Sequence, residues 1–347
     1  MKKMAVLALV MLTSLALVFA NGSKEAASGE TASGIGNSLV IYTSNTEAEI
    51  AAMTLPFESL YPDVNIEIVN GSFGELFARL QAEKEDPVAD IMLGGLSSTD
   101  GNKYEQYFMR YTSSHNDEQI APATNGYYSV YGMSTVCFAV NTKLESELGL
   151  NIRSYEDLLN PALKGKIIFS DPNSSSAAWN NLCNIFAVYG VDTPEAWAII
   201  EGLMKNGMVV GSSSSKCFKD VANGEYVVGL TYDNGAVTML GAKNYEMRYP
   251  ANGTSGKDSC FAIVANCKHP EAAKAFVEAM TSKEGTEKMY QMYGGVRFTN
   301  SQVTEPASFQ LGKTKDIKWV DRPVEELTAK KDELLAKWND LYARIYK

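Results

Sequence analysis

Residues 38–96 read SLVIYTSNTEAEIAAMTLPFESLYPDVNIEIVNGSFGELFARLQAEKEDPVADIMLGGL, and the changing periodicity of this stretch decides the fold. Ser38 to Tyr42 is a β-rich run, Glu47 to Tyr61 carries apolar side chains at helical spacing, and Val64 to Val69 alternates. Gly74 to Glu85 returns to helical spacing, and Asp90 to Leu93 reads as a third strand. The order β-α-β-α-β implies a parallel sheet with helices on its faces, and ligands in such folds sit beyond the carboxyl ends of the strands. Three turns become candidate ligand loops on that ground: Thr43-Ser44-Asn45, Gly71-Ser72-Phe73 and Gly94-Gly95-Leu96-Ser97.

The alternation continues. Tyr127 to Asn141 is a long β-rich stretch with Gly132 inside it, long enough to pass from one lobe to another. A second unit follows, with a short helix from Tyr155 to Leu163, a strand from Lys166 to Phe169, and a helix from Ser174 to Tyr189 whose serines suit capping. Then come a helix from Pro194 to Lys205, a strand from Met208 to Val210, the loop Ser212-Ser213-Ser214-Ser215, a helix through Val221, and the strand Tyr226 to Thr231. Ser259 to Ala265 carries the chain back. Helices follow over Glu271 to Thr281 and Lys283 to Tyr293. In the tail, Glu325 to Tyr346 places Leu327, Leu334, Leu335, Trp338, Leu341, Tyr342 and Ile345 near one face, which predicts a single docked helix.

At the start of the chain, Lys2 and Lys3 precede an apolar run from Met4 to Leu17 that ends at Val18-Phe19-Ala20, the pattern of a signal peptide over residues 1–20. Residues 21–37 are dominated by small and polar side chains and read as a flexible tether. No later run reaches the roughly 20 apolar residues of a membrane span, and no cysteine stands at the cleavage point, so an exported, unanchored monomer is expected. The 41 acidic and 31 basic side chains give a net charge of −10 without a basic block, which excludes nucleic acid as a partner. Five cysteines, Cys137, Cys183, Cys217, Cys260 and Cys267, leave at least one thiol unpaired. With no C-x-x-C pair and only His115 and His269 to assist, a metal site is not expected; buried small side chains and one or two bridges both remain open. No cofactor is implied.

Several segments together resemble a known family. They are Val40-Ile41-Tyr42-Thr43-Ser44, Gly71-Ser72-Phe73-Gly74-Glu75-Leu76 with Arg79-Leu80-Gln81-Ala82-Glu83, and Ala89-Asp90-Ile91-Met92-Leu93-Gly94-Gly95. Further along stand Leu158-Leu159-Asn160-Pro161-Ala162-Leu163-Lys164-Gly165-Lys166-Ile167, Asp171-Pro172-Asn173-Ser174-Ser175-Ser176-Ala177 and Asn223-Gly224-Glu225-Tyr226-Val227-Val228-Gly229. In order and spacing they resemble the extracellular solute-binding proteins of bacterial ABC importers, in the branch of ferric-ion-binding proteins and their relatives for phosphorylated sugars or phosphonates. The resemblance implies an α/β, two-lobed periplasmic-binding-protein fold, each lobe a mostly parallel sheet flanked by helices, with two crossover strands as hinge. Lobe I would hold residues 38–130 and 262–320, lobe II residues 131–261, and residues 321–347 would form the C-terminal helix packed on the body. It also implies a periplasmic, non-enzymatic transport component whose partners are a small anionic solute and an inner-membrane permease.

The candidate site follows. Ser174-Ser175-Ser176-Ala177 lies where a strand ends and a helix begins, so unpaired backbone N–H groups, hydroxyls and the positive end of the helix dipole meet there, a seat for an anionic oxygen. In the ferric-binding relatives this element holds an accompanying anion. Ser44, Ser72 and Ser213 occupy further strand-to-helix turns, with Asn45, Phe73 and Gly95 beside them. Ferric-binding members carry adjacent tyrosines after the strand that ends here at Thr231, whereas this chain has a single Tyr232 followed by Asn234-Gly235, and the loop at Ser44 has no histidine. Tyr232-Asp233 instead resembles the His-Asp pair of the sugar-phosphate-binding relatives. Asp233 could accept hydrogen bonds from two sugar hydroxyls, pair with a ligand ammonium, or cap the turn Asp233-Asn234-Gly235. Asn252 is a further polar candidate. The leading expectation is therefore a phosphorylated sugar or phosphonate-like solute, with ferric ion as the alternative. A secreted hydrolase or phosphatase would need a base near a serine or clustered metal ligands, which two isolated histidines do not provide.

Overall fold

The computed structural model describes residues 34–346, without the side chains of 99–102, so the expected signal peptide and most of the expected tether lie outside the described residues. Strand β1 (Ser38–Thr43) pairs in parallel with β2 (Asn65–Asn70) on one side and β3 (Ile91–Leu96) on the other. Helices α1 (Glu47–Leu60) and α2 (Phe73–Ala82) make the two crossovers. Both helices start with a capping box, Thr46 with Glu49 and Ser72 with Glu75, in which side chain and backbone donors at the first turn satisfy one another.

The long strand β4 (Ser129–Asn141) leads through α3 (Thr142–Glu147) to β5 (Ile167–Ser170), α4 (Ser176–Tyr189), α5 (Pro194–Lys205), β6 (Val209–Gly211), α6 (Lys216–Ala222) and β7 (Val228–Tyr232). After α7 (Asp233–Ala236) and β8 (Tyr245–Arg248), β9 (Gly256–Ile263) returns to the first sheet. Helices α8 (Pro270–Thr281) and α9 (Lys283–Met292) and the short β10 (Arg297–Phe298) complete that side, and α10 (Val324–Ala329) and α11 (Lys331–Tyr346) end the chain.

The ten strands of the described residues belong to one sheet, in the order β2-β1-β3-β9-β4-β7-β5-β6 with β8 and β10 attached to β4. Two parallel triplets thus flank two central antiparallel strands. Strand β4 belongs to both halves. Ser129 to Thr135 pair with β9, and from Val136 onward the strand pairs with β7 and then β8. One core gathers about Phe57, Met92, Phe261 and Phe276, and a second about Phe138, Phe169, Phe186 and Trp338. The cysteines are all buried and unbridged, filling core space as small apolar side chains do.

Four details differ from the sequence reading. The short helix expected over Tyr155 to Leu163 is two separate 3₁₀ turns, because Pro161 keeps Asn160 out of the helical region and Asn160 caps the second turn. Strand β8 was not anticipated, since Tyr-Glu-Met-Arg has no apolar run. Its Arg248 is buried against Glu145 in a two-pronged pair at 2.5 and 2.9 Å. The single C-terminal helix is broken at Lys330 into α10 and α11. Ile35, inside the expected tether, packs against the first core.

Leu327, Leu334, Trp338 and Leu341 all enter the second core, and Trp338 stacks on Tyr342 with ring centroids 5.0 Å apart. Among the described residues the buried Trp338 indole N–H has no acceptor. Trp338→Ala should therefore cost about 3–5 kcal/mol in urea unfolding. Trp338→Phe should cost much less, since it keeps most of the ring and removes an unsatisfied donor; equal losses would contradict this packing.

Candidate functional site

The carboxyl ends of β1 and β3 face the start of α4 across a cavity of 520 Å³. From the first-core side, Ser44, Phe73, Gly95 and Leu96 line it, and from the second, Ser176, Ala177, Asn180, Ser214, Tyr232 and Asn234. The floor is made by the strands that join the two sides: Ser134 of β4, and Lys257, Asp258 and Ser259 of β9. Two glycines allow the first side to close in. Gly94 and Gly95 hold φ of +81° and +74°, and a Cβ on them would fall 2.2 Å from the Asn45 Oδ1 and 2.3 Å from the Phe73 ring.

At the start of α4, the Ser175 hydroxyl accepts from the Ala178 amide at 3.2 Å, and the Ser174 and Ser175 amides donate to the Asp171 carbonyl. Among the described residues the Ser176 and Ala177 amides have no acceptor, and both residues line the cavity. They are the exposed positive pole of a 14-residue helix. A smaller recess of 350 Å³ beside them is walled by Ser174, Ser175 and Ser176 and by Gly211 to Ser214. Lys257 adds a full positive charge, and no ion pair to it is found among the described residues.

Among the cavity's described lining residues Asp258 is the carboxylate. It accepts from the Ser97 hydroxyl at 2.6 Å, the Ser98 amide at 3.0 Å and the Cys260 thiol at 3.4 Å, and is half-buried. Tyr232 presents its phenol to the cavity. Burial raises its pKa above the ordinary tyrosine value, against the effect of a hydrogen bond with Ser214, so it stays a neutral donor at neutral pH. Among the described lining residues the set combines anion donors, one carboxylate acceptor and two aromatic rings, Phe73 and Tyr232.

The expected residues divide into two groups. Ser44, Phe73, Gly95, Ser176, Ala177 and Tyr232 meet at the cavity, and Ser174, Ser175 and Ser213 line the adjoining recess. The others are turned elsewhere. Ser72 spends its hydroxyl on Glu75 of its own helix, at 2.7 Å. The Asn45 amide donates to Tyr131 and to the Met53 sulfur. Asn252 bonds the Tyr155 amide, Glu156 and Tyr189, away from the cavity. Asp233 is fully buried. Its carboxylate accepts from the Thr135 amide at 3.0 Å, the Thr135 hydroxyl at 3.2 Å, the Asn234 amide at 2.9 Å and the Tyr249 hydroxyl at 3.3 Å. No acceptor capacity faces a sugar. Burial raises its pKa, against the Thr135 amide and the Arg297 charge.

Sequence reasoning missed Lys257, Asp258, Asn180 and Ser214. The first two sit just before the expected strand at Ser259, where an extended polar dipeptide was the only available signal.

A family model described as bacterial extracellular solute-binding protein matches residues 52–316. A protein of Haemophilus influenzae is 28% identical over 328 residues, 90% of this chain and 93% of its own length. A putative 2-aminoethylphosphonate-binding periplasmic protein of Salmonella typhimurium is 23% identical over 67% of this chain and 69% of its own. Among solved structures, the periplasmic binding protein AfuA of Actinobacillus pleuropneumoniae, with exogenous fructose-6-phosphate bound, superposes with a TM-score of 0.72 at 26% identity, covering 88% of this chain and 99% of that one.

The inward commitment of Asp233 is checked by unfolding. Asp233→Ala strands two buried donors and weakens the surroundings of Arg297, and should cost about 3–5 kcal/mol. Asp258→Ala, at the half-buried wall of the cavity, should cost less, about 1–2 kcal/mol. Equal losses in urea titration would overturn this assignment of roles.

Proposed function

We propose a solute class on the premise that this chain belongs to the bacterial extracellular solute-binding proteins and is the substrate-binding component of an ABC importer. The solute is a phosphorylated sugar or a phosphonate-like compound, held in the cavity between the two cores. The observation that carries this reading is the pair of unpartnered amides at Ser176 and Ala177 facing the same space as Lys257. Amides at a helix start and a nearby ammonium hold an anionic oxygen without a compensating proton.

The organic part of the solute lies toward Asp258 and Tyr232. A carboxylate holding three protein donors, the Cys260 thiol among them, keeps an acceptor site for a hydroxyl or an ammonium, and a neutral phenol donates or stacks. The likeness to a protein with bound fructose-6-phosphate and to a putative aminoethylphosphonate-binding protein supports an anion joined to a polar organic group. Ferric ion is less well supported: among the described residues Tyr232 is the one phenol lining the cavity, burial raises its pKa, and no three His, Cys, Asp or Glu side chains gather as ligands.

Binding couples to closure through β4 and β9, which alone in the sheet join the two parallel triplets. A solute that touches Ser44 and Ser176 at once interacts fully only when the two sides approach, so its binding energy favours the closed arrangement.

Ser176→Glu places a carboxylate at the anion seat and should weaken glucose 6-phosphate and aminoethylphosphonate binding by on the order of a hundredfold or more in calorimetry. Unchanged affinity would remove the anion seat. In thermal-shift assays, sugar phosphates or aminoalkyl phosphonates should stabilise the protein; stabilisation by Fe³⁺ alone, with tyrosinate colour, would replace this reading with iron.

A further inference from the structure

A second cavity, of 640 Å³, continues from the first through Gly95, Ser176, Asn180 and Lys257, and ends among positive charges. Lys103, Lys257, Arg322 and Lys331 line it, with Trp179, and among the described residues no carboxylate does. Its outer wall is the C-terminal segment. There α10 touches the turns at residues 98–107 on the first-core side while its Leu327 is buried in the second core. Arg322 is aimed inward, its Nη2 donating to the Asn180 Oδ1 at 2.9 Å. The Lys331 ammonium stands 5.5 Å from the centroid of the Trp179 ring. Among the described residues no ion pair is found for Lys257, Arg322 or Lys331.

This is unusual company in a chain with ten more acidic than basic side chains, net charge −10. Several cations elsewhere on the surface are paired with neighbouring carboxylates, as Lys337 is with Asp192 and Lys205 with Glu201. Lys103, Lys257, Arg322 and Lys331 around one cavity repel one another, and low-dielectric walls concentrate their field on the space between. An anionic group placed there meets charge, a planar guanidinium fork and the face of an indole that already holds a cation.

We infer that the solute carries a second anionic group, phosphoryl or carboxylate, seated between Arg322, Lys331 and Lys257, so that the class preferred is a doubly anionic compound such as a bisphosphorylated sugar or a phosphorylated acid. The inference rests on the reading of Ser176 and Ala177 as the seat of the first anion. The C-terminal segment then sets specificity: it decides what lies at the far end of the solute, while the start of α4 holds the near end.

Calorimetry on the mature protein compares fructose 6-phosphate with fructose 1,6-bisphosphate. The bisphosphate should bind tighter by on the order of tenfold or more, and the ratio should fall toward one in Arg322→Gln and in Lys331→Gln. Lys331 is exposed, so its replacement leaves the core intact, and a thermal melt of each variant checks this. Monophosphate binding with no preference for the bisphosphate, or a preference that survives both substitutions, overturns the second seat and leaves the first standing. Failure of both compounds to bind, or insensitivity of both to Ser176→Glu, overturns both seats together.

Discussion

Between Thr135 and Val136 the backbone of β4 changes neighbours, from β9 to β7, and the Asp233 carboxylate supplies the acceptor that the Thr135 amide needs at that junction. A buried backbone N–H without an acceptor is costly, so the crossing of one strand through two sheets depends on this side chain. Asp233 is in turn held by the Tyr249 hydroxyl and faces Arg297 at 3.8 Å. Arg297 is fully buried: it donates to the Gly312 carbonyl at 2.7 Å, to Glu305 at 3.0 Å and to Thr314, and its guanidinium lies over the rings of Phe309 and Trp319. The joint therefore also anchors residues 305–319. From there the chain runs on to α10, so the wall of the cleft takes its position from the same charge network that stitches the sheets.

What was legible in the sequence was local. The start of α4 could be found because serines before a helix have a meaning that depends on a few neighbouring residues, and the turns after β1 and β3 followed from alternation. The role of Asp233 was not legible. Tyr232-Asp233 looks the same whether the carboxylate points to a ligand or into a strand junction, and only the pairing of β4 with β7 decides. Ser72 shows the same limit: its capping box with Glu75 was present in the sequence, and it uses the hydroxyl that a ligand reading would have assigned elsewhere. Arg322 and Lys331 flank α10, which no local signal places beside the start of α4. The break at Lys330 carries neither glycine nor proline, so periodicity ran through it.

Global and local charge point in opposite directions in this molecule. At physiological ionic strength fields fade over about 8 Å, so the acidic surface has little influence inside the cleft, where amides and cations are within reach of a bound group. The acidic exterior still disfavours adsorption of anions elsewhere on the surface. Selectivity for place is thereby built from the contrast between a negative surface and a positive crevice, rather than from the cleft alone.

The burial of Leu327, Leu334, Trp338 and Leu341 in the second core has a consequence for how the chain comes into being. A polypeptide that crosses a membrane amino end first delivers these four side chains last. Until they arrive, the second core is open along the side that α11 covers, while the residues of the first core, the last of them Phe309, are already present. In a chain translocated in that direction, loss of the final helix would leave the second core without Leu334, Trp338 and Leu341 and the first core with its own residues in place.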